Sequence, residues 1–231
     1  MLRYTINILF IFWSLSSFSQ KQINDTLIKN DSIHILKPFN VRIGFDLGNF
    51  IDGKLNNNPK TAFFIDSNIY KNYFLCLEVG SNSNNFNNSV YHFQTKGNYL
   101  KLGVDYNIYD NWPGMDNQIS MGFHYGYSNF TGTLVGYKIN QPSNTFPPTE
   151  NIVNREFKNI SGKWFEITSK LQVEVLRHIY LGYSISLKYL LSTKRTNEYE
   201  APFIPGFYKV NSNRNFGFGM QYYISYRFGK D

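Results

Sequence analysis

From residue 40 onward, apolar and polar residues alternate with a period of two, and no sustained helical period of 3.6 residues is present. Strict alternation over short segments predicts β-strands that have one apolar face. Segments with this pattern are residues 41–48, 63–69, 73–80, 99–108, 119–128, 164–175, 179–191 and 216–228. The pattern therefore predicts an all-β fold.

The two faces of these strands differ in side-chain volume. The apolar face carries about fifteen aromatic residues and no glycine, whereas the other face carries glycines, serines and charges. Because the interior of an eight-stranded barrel is only wide enough for side chains to fill it, the apolar face must point outward. A belt of that size requires lipid as its solvent. We expect an eight-stranded antiparallel up-and-down transmembrane β-barrel. A soluble, lipocalin-like barrel would need the apolar face to point inward, and the side chains of that face are too large for the interior.

The lengths of the connections support the same architecture. Short connections at residues 71–72, 109–116 and 177–178 alternate with longer ones at residues 52–61, 81–91, 129–163 and 192–215. Outer-membrane barrels have short periplasmic turns and long external loops. With an even number of strands, this alternation predicts that both termini lie in the periplasm.

The N-terminal segment has the features of a signal peptide, predicted over residues 1–19. Arg3 precedes an apolar run over residues 6–15, and Ser17-Phe18-Ser19 forms a small-x-small cleavage site. The alternative, an N-terminal membrane anchor, requires a longer apolar run. We expect residues 20–39 to form a flexible periplasmic lead-in and residues 40–231 to form the outer-membrane barrel.

Composition narrows the class of protein further. With 42% hydrophobic residues, 18% aromatic residues and a mean hydropathy of −0.36, the chain cannot be a bundle of transmembrane helices. The single cysteine, Cys76, cannot form an internal disulfide, and we expect a buried, inert thiol. The net charge of +7 includes no basic run or recognition motif, so no nucleic-acid partner is expected. Outer-membrane lipid and anionic lipopolysaccharide at the outer rim are the predicted partners, with other envelope proteins as further candidates.

The inward face of the predicted barrel carries charges of both signs in nearly equal number. They are Arg42, Asp46, Asp66, Glu78, Lys101, Asp105, Glu166, Lys170, Glu174, Lys188 and Arg227. Unpaired charges in a narrow lumen are costly, so we expect a luminal network of mutual ion pairs. A channel would favour one sign of charge along a constriction. The balance favours a filled interior.

Catalysis is not expected. Ser120 and His124 both point inward on one strand, but four residues along a strand place them about 13 Å apart, which is too far for a nucleophile–base hydrogen bond. The remaining histidines, His34, His92 and His178, are too scattered to form a metal site. We therefore predict no catalytic residues, no cofactor and no metal, and retain a lipid-modifying outer-membrane enzyme as the alternative.

The last long connection contains a stiff apolar segment at residues 201–207. Its two prolines restrict the chain, and Phe203, Ile204 and Phe207 are predicted to be displayed for contact with a protein or lipid partner. The alternative is a loop folded over the barrel mouth.

Several short segments together resemble a known family. They are Ile43-Gly44-Phe45-Asp46-Leu47, Gly182-Tyr183-Ser184-Ile185 with Lys188-Tyr189, Ile204-Pro205-Gly206-Phe207, and Tyr222-Tyr223-Ile224-Ser225-Tyr226-Arg227. The whole barrel resembles small outer-membrane β-barrel proteins of unknown function from Bacteroidota. The resemblance implies a barrel and no activity. The expected role is a non-catalytic structural or accessory subunit of a cell-envelope assembly, with a lipid-modifying enzyme or a small-solute channel as alternatives.

Overall fold

The computed structural model describes residues 40–87, 91–111, 115–139, 149–194, 202–209 and 215–229. The predicted signal peptide and the whole of the predicted lead-in lie outside these ranges. The elements are β1 (Val41–Asp46), α1 (Leu47–Leu55), β2 (Lys60–Tyr70), β3 (Tyr73–Asn87), β4 (Tyr91–Asn107), β5 (Gln118–Ile139), β6 (Thr149–Leu176), β7 (Ile179–Lys194), β8 (Phe203–Ile204), β9 (Tyr208–Lys209) and β10 (Phe216–Phe228). Within the described ranges, no helix is long and apolar enough to cross a membrane.

Eight of the strands form one closed antiparallel barrel. Each of β1 to β7 pairs with its sequence neighbour, and β10 closes the ring between β7 and β1. The short strands β8 and β9 form a separate hairpin in the connection between β7 and β10. The predicted all-β, eight-stranded antiparallel barrel is confirmed.

The bulky apolar face of the wall points outward and the polar face points inward, as the side-chain volumes predicted. On β7, Leu187 points outward and is 61% exposed, whereas its neighbours Ser186 and Lys188 are 8% and 2% exposed. The same alternation is seen on β5, where outward Phe123 is exposed and inward His124 is buried. The outside of the barrel is therefore an apolar belt. The polar residues that alternate with the apolar ones along each strand point inside.

The first strand is shorter than predicted, because a helix replaces its last residues. The Asp46 carboxylate accepts a hydrogen bond from the Asn49 backbone N–H at 2.9 Å and so forms the N-cap of α1. Leu47, Phe50 and Ile51 follow the cap at helical spacing. The assignment of residues 47–48 to a strand was therefore wrong, because two alternating residues do not distinguish a strand from the first turn of a helix.

Two of the predicted long loops are mostly strand. Strands β3 and β4 continue through residues 81–91 except for residues 88–90, which are not described, and β5 and β6 occupy most of residues 129–163. Polar pairs such as Asn85 with Gln94 and Thr133 with Glu156 continue the ladder. Backbone hydrogen bonds pair these strand segments even though their residues do not alternate between apolar and polar. The alternating pattern therefore did not predict these extensions of the strands. We call the end of the barrel where these hairpins project the hairpin end, and the end with the turns at residues 71–72 and 177–178 the turn end.

Aromatic rings inside the barrel lie against glycines of the neighbouring strand. Trp164 on β6 is paired with Gly126 on β5, and Tyr223 on β10 is paired with Gly182 on β7. A Cβ atom at either glycine would overlap the opposing ring. Glycine therefore provides the volume that lets a large side chain fit inside an eight-stranded wall.

Candidate functional site

A short inserted segment, residues 202–209, which we call the plug, fills the barrel at its hairpin end. Its centre is a tight turn over Ile204-Pro205-Gly206-Phe207, closed by a hydrogen bond of 3.1 Å from the Phe207 N–H to the Ile204 carbonyl. Gly206 has φ +81°, a conformation that glycine adopts without strain. Proline followed by a glycine with positive φ is typical of a type II turn.

The plug buries the side chains that the sequence predicted to be displayed. Phe203, Ile204 and Phe207 are only 7%, 0% and 1% exposed. Ile204 and Phe207 belong to an apolar core whose other members are Ala62, Tyr99, Phe130, Ile160, Trp164 and Leu190 on the inner wall. The expectation of three exposed apolar anchors was wrong, because burying them against this wall is favourable by roughly 1.5–3 kcal/mol for each large side chain. The alternative, a loop folded over the barrel mouth, describes the structure.

Polar contacts fix the plug to the wall. The Lys188 ammonium donates to the carbonyl oxygen of Gly206 at 2.6 Å, and its nitrogen lies 4.3 Å from the centre of the Tyr208 ring. The Asn49 side-chain amide, on α1, donates to the Tyr208 hydroxyl at 2.7 Å. The plug is thus connected both to a strand and to the helix that replaces the end of β1.

Beneath the plug lies a first cluster of charges centred on Glu166. This carboxylate is 1% exposed and lies 3.1 Å from the Lys101 ammonium and 3.8 Å from that of Lys188. The Trp164 indole N–H donates to it at 3.2 Å. Lys101 also pairs with Glu78 at 2.8 Å. Different strands supply these charges, so this layer ties the wall together across the lumen.

A second cluster, centred on Asp105, lies nearer the turn end. One carboxylate oxygen accepts from the Lys170 ammonium at 2.6 Å and from the Cys76 thiol at 2.9 Å. The other oxygen is 2.7 Å from His124 Nε2. The second imidazole nitrogen is 3.6 Å from Glu166. His124 therefore lies between the two clusters and faces a carboxylate on each side.

The remaining predicted luminal charges have other roles. Arg42 pairs with Asp66 at 2.6 Å, while Asp46 caps α1. Glu174 accepts from the backbone N–H of His178 and so stabilises the turn between β6 and β7. Arg227 pairs with Asp116, which the sequence did not single out.

Ser120 and His124 do not form a nucleophile–base pair. The Ser120 hydroxyl has no hydrogen-bond partner among the described residues, and the His124 imidazole contacts Asp105 and Glu166. Cys76 donates its thiol proton to Asp105. The described lumen thus contains neither a serine nor a cysteine hydrogen-bonded to an imidazole, the arrangement that activates these nucleophiles.

Sequence reasoning noted Cys76, Asp105 and His124 separately and missed that they meet. They lie on β3, β4 and β5, and the register pairs Cys76 with Gly103 and Gly103 with His124. Gly103 has no side chain, so the His124 ring covers its position and approaches the cluster. The glycines on the inward face were visible in the sequence, but the register needed to interpret them was not.

The lumen leaves little free space between these clusters. A cavity of about 20 Å³ lies between them, with Cys76, Glu78, Lys101, His124 and Lys170 in its wall. That volume accommodates about one water molecule. A second cavity of about 70 Å³ lies at the turn end, beside Arg42, Asp116 and Gln118.

Comparison with known proteins identifies the class to which the chain belongs. Residues 1–228 match the model of a family described as a domain of unknown function, DUF6048. The chain is therefore a member of the DUF6048 family. No curated protein sequence matches it.

Some solved structures resemble the barrel. The N-terminal β-barrel domain of OprF from Pseudomonas aeruginosa aligns with a TM-score of 0.41 and 11% identity, covering 83% of this chain and 97% of that one. A major outer membrane protein from Thermus thermophilus aligns with a TM-score of 0.42 and 14% identity, covering 83% and 98%. Ail, the attachment invasion locus protein of Yersinia pestis, aligns with a TM-score of 0.38 and 7% identity, covering 83% and 97%. At these values no conclusion about role passes from those proteins to this chain.

Proposed function

We propose that this protein is an outer-membrane β-barrel with a closed interior, and that it serves as a non-catalytic structural or accessory subunit of a cell-envelope assembly. The observation that carries the proposal is the contrast across the wall. An exposed apolar belt surrounds the barrel, while an apolar plug and paired charges fill it.

The belt supports a membrane location. Every wall strand exposes large apolar side chains, among them Phe63 on β2, Leu102 on β4 and Phe218 on β10. Monomeric soluble proteins rarely expose contiguous apolar patches larger than a few hundred Å². A closed barrel leaves no unpaired strand edge within lipid, which is the condition for crossing a bilayer with strands. By the usual arrangement of such barrels, the turn end and both termini face the periplasm.

The filled lumen favours a subunit role over the two alternatives from other classes. Solute passage needs a continuous path, whereas the plug core and the Glu166 and Asp105 clusters lie one below the other along the barrel. Lipid hydrolysis by a serine or cysteine needs that nucleophile beside a base, and the described lumen has no serine or cysteine hydrogen-bonded to an imidazole.

The projecting hairpins offer the surface on which a partner would bind. Strands β3 to β6 continue past Asn82 and Ser161, where pairing with β2 and β7 ends. On β6, Ile152 and Val153 are 75% and 42% exposed in this extension. The proposed protein partner therefore contacts the hairpin end of the β5–β6 pair, outside the membrane.

Lipid contact is proposed at the same end. On α1, Phe50, Ile51 and Leu55 are exposed, and the Lys54 ammonium lies 5.8 Å from the centre of the Phe50 ring. An apolar face with a lysine at its rim suits acyl chains and the phosphates of lipopolysaccharide.

The test is affinity purification of the tagged full chain from native membranes after mild cross-linking. A first variant replaces residues 133–156 with a short turn, which removes the β5–β6 extension and keeps the barrel below it. A matched control shortens the β3–β4 hairpin by replacing residues 84–95. We expect a stoichiometric protein to be recovered with the wild type and the control and lost with the first variant. Folding of each is checked by heat-modifiable gel mobility. If wild-type chain is recovered without a stoichiometric protein, the subunit role is wrong.

A further inference from the structure

The cluster of Cys76, Asp105 and His124 contains the three kinds of donor atom that bind zinc. Sulfur, carboxylate oxygen and imidazole nitrogen from these residues all lie within 4.8 Å of one another. All three side chains are buried. Zinc is held in proteins by thiolate, imidazole and carboxylate ligands at about 2.0–2.3 Å in tetrahedral geometry. We propose that this cluster binds one thiophilic divalent cation, Zn²⁺ or a chemically similar ion, inside the barrel.

The wall holds the three donors in place independently of one another. Each lies within a different paired strand of a closed barrel, so none depends on a loop for its position. At present the Cys76 thiol donates to Asp105 at 2.9 Å, and His124 Nε2 lies at hydrogen-bond distance, 2.7 Å, from the same carboxylate. A bound cation would replace the thiol proton and leave His124 neutral, since metal ligands must be deprotonated.

Buried oxygens without partners lie next to the cluster on its turn-end side. The Thr168 hydroxyl is beside Asp105 above Gly122, and it has no hydrogen-bond partner among the described residues. The Ser120 hydroxyl and the Gln118 side-chain oxygen, which follow along β5 toward the turn end, also have no partner among the described residues. The Thr168 hydroxyl is thus available to a ligand bound at Asp105. On the other side, the cavity of about 20 Å³ beside Cys76 and His124 has room for one water molecule as the fourth ligand.

The experiment uses the single cysteine as the reporter. The full chain is refolded in detergent micelles with Co²⁺, and the near-ultraviolet thiolate-to-cobalt charge-transfer absorption is recorded. Because Cys76 is the only cysteine in the chain, that absorption assigns the metal to this site. The Zn²⁺ content of the refolded protein is then measured after unbound Zn²⁺ has been removed.

We expect the absorption to saturate at one Co²⁺ per chain and to be displaced by Zn²⁺. Cys76→Ser abolishes it, and His124→Gln weakens Zn²⁺ binding by at least about tenfold, the loss seen even for indirect partners of metal sites. Ser186→Ala, an inward change on β7 outside the cluster, is the matched control and keeps both signals. Heat-modifiable mobility reports folding in each case.

The proposal is overturned if folded wild-type protein shows no thiolate absorption. It is also overturned if folded Cys76→Ser retains the wild-type Zn²⁺ content. If Cys76→Ser does not fold, the wild-type absorption alone decides, since no other thiol exists in the chain.

Discussion

The ammonium of Lys188 donates to the carbonyl oxygen of Gly206 at 2.6 Å and lies 3.8 Å from Glu166. One buried side chain thus joins the plug to the charged layer beneath it. A lysine that is 2% exposed is stable only if its charge is paired and hydrogen-bonded, and these two oxygens meet that requirement.

Lys188→Met is expected to destabilise the barrel and release the plug. Removing one partner of a buried charged pair costs about 3–5 kcal/mol, because the other group keeps its desolvation cost. The midpoint of the heat-modifiable mobility shift should fall, and limited proteolysis should cleave within residues 202–209. Ser186→Ala, two residues away on the same inward face, is the control. If the two variants behave alike, the Lys188–Gly206 contact does not hold the plug.

The outward and inward faces should respond oppositely to charge. Leu187→Arg places a guanidinium in the proposed lipid belt and should cost about 2–4 kcal/mol if the position is near the bilayer midplane. Ser186→Ala, which faces inward, should be nearly neutral. Folding into lipid vesicles, followed by gel mobility over a urea series, measures both. A neutral Leu187→Arg would contradict a lipid-facing belt.

Phe207→Ala should weaken the barrel through its core. The ring is 1% exposed, and truncating a buried phenylalanine costs about 3–5 kcal/mol. Phe218→Ala, an outward residue of β10 that is 51% exposed, should cost less because it leaves no internal cavity. Equilibrium unfolding of the two variants in the same detergent compares them directly. Equal losses would mean that the plug does not contribute to the core.

The wild-type barrel should conduct no ions across a planar bilayer. The plug core and two charged layers obstruct the same lumen, and the free space between the layers is about 20 Å³. A variant in which residues 203–209 are replaced by glycine and serine should also remain silent, because Lys101, Glu166 and Asp105 still cross the lumen. Stable channel steps in the wild type would restore the small-solute channel. Steps in the variant alone would show that the plug by itself seals the barrel.

The role of the single cysteine differs from the sequence-based expectation. Its burial was predicted, and Cys76 is indeed a free, buried thiol. Its position against Asp105, close to His124, could not be predicted, because the three residues are separated by 29 and 19 positions along the chain. Only the register of three adjacent strands determines that they meet.

The sequence by itself determined the wall of this protein. Alternation with a period of two depends only on the geometry of each strand, so the eight strands and their outward faces could be predicted locally; on β10 both the start at Phe216 and the end at Phe228 agree with the structure. The side chains on the aromatic face are too bulky for the interior of an eight-stranded barrel, so that face must point outward. This conclusion requires no knowledge of how the strands pair.

Tertiary structure alone decided which luminal side chains meet and what fills the hairpin end of the barrel. The length of the β5–β6 hairpin comes from cross-strand hydrogen bonds between polar residues, which carry no periodic signal. Whether Phe203, Ile204 and Phe207 are exposed or buried depended on an apolar wall at the hairpin end against which they could pack. Trp164, Phe130 and Ile160 form that wall, and they come from two strands whose register places them side by side. Apolar residues in a loop are buried only if the folded chain provides an apolar surface for them to pack against. That surface exists only after the strands have paired, so the sequence of the loop does not reveal it.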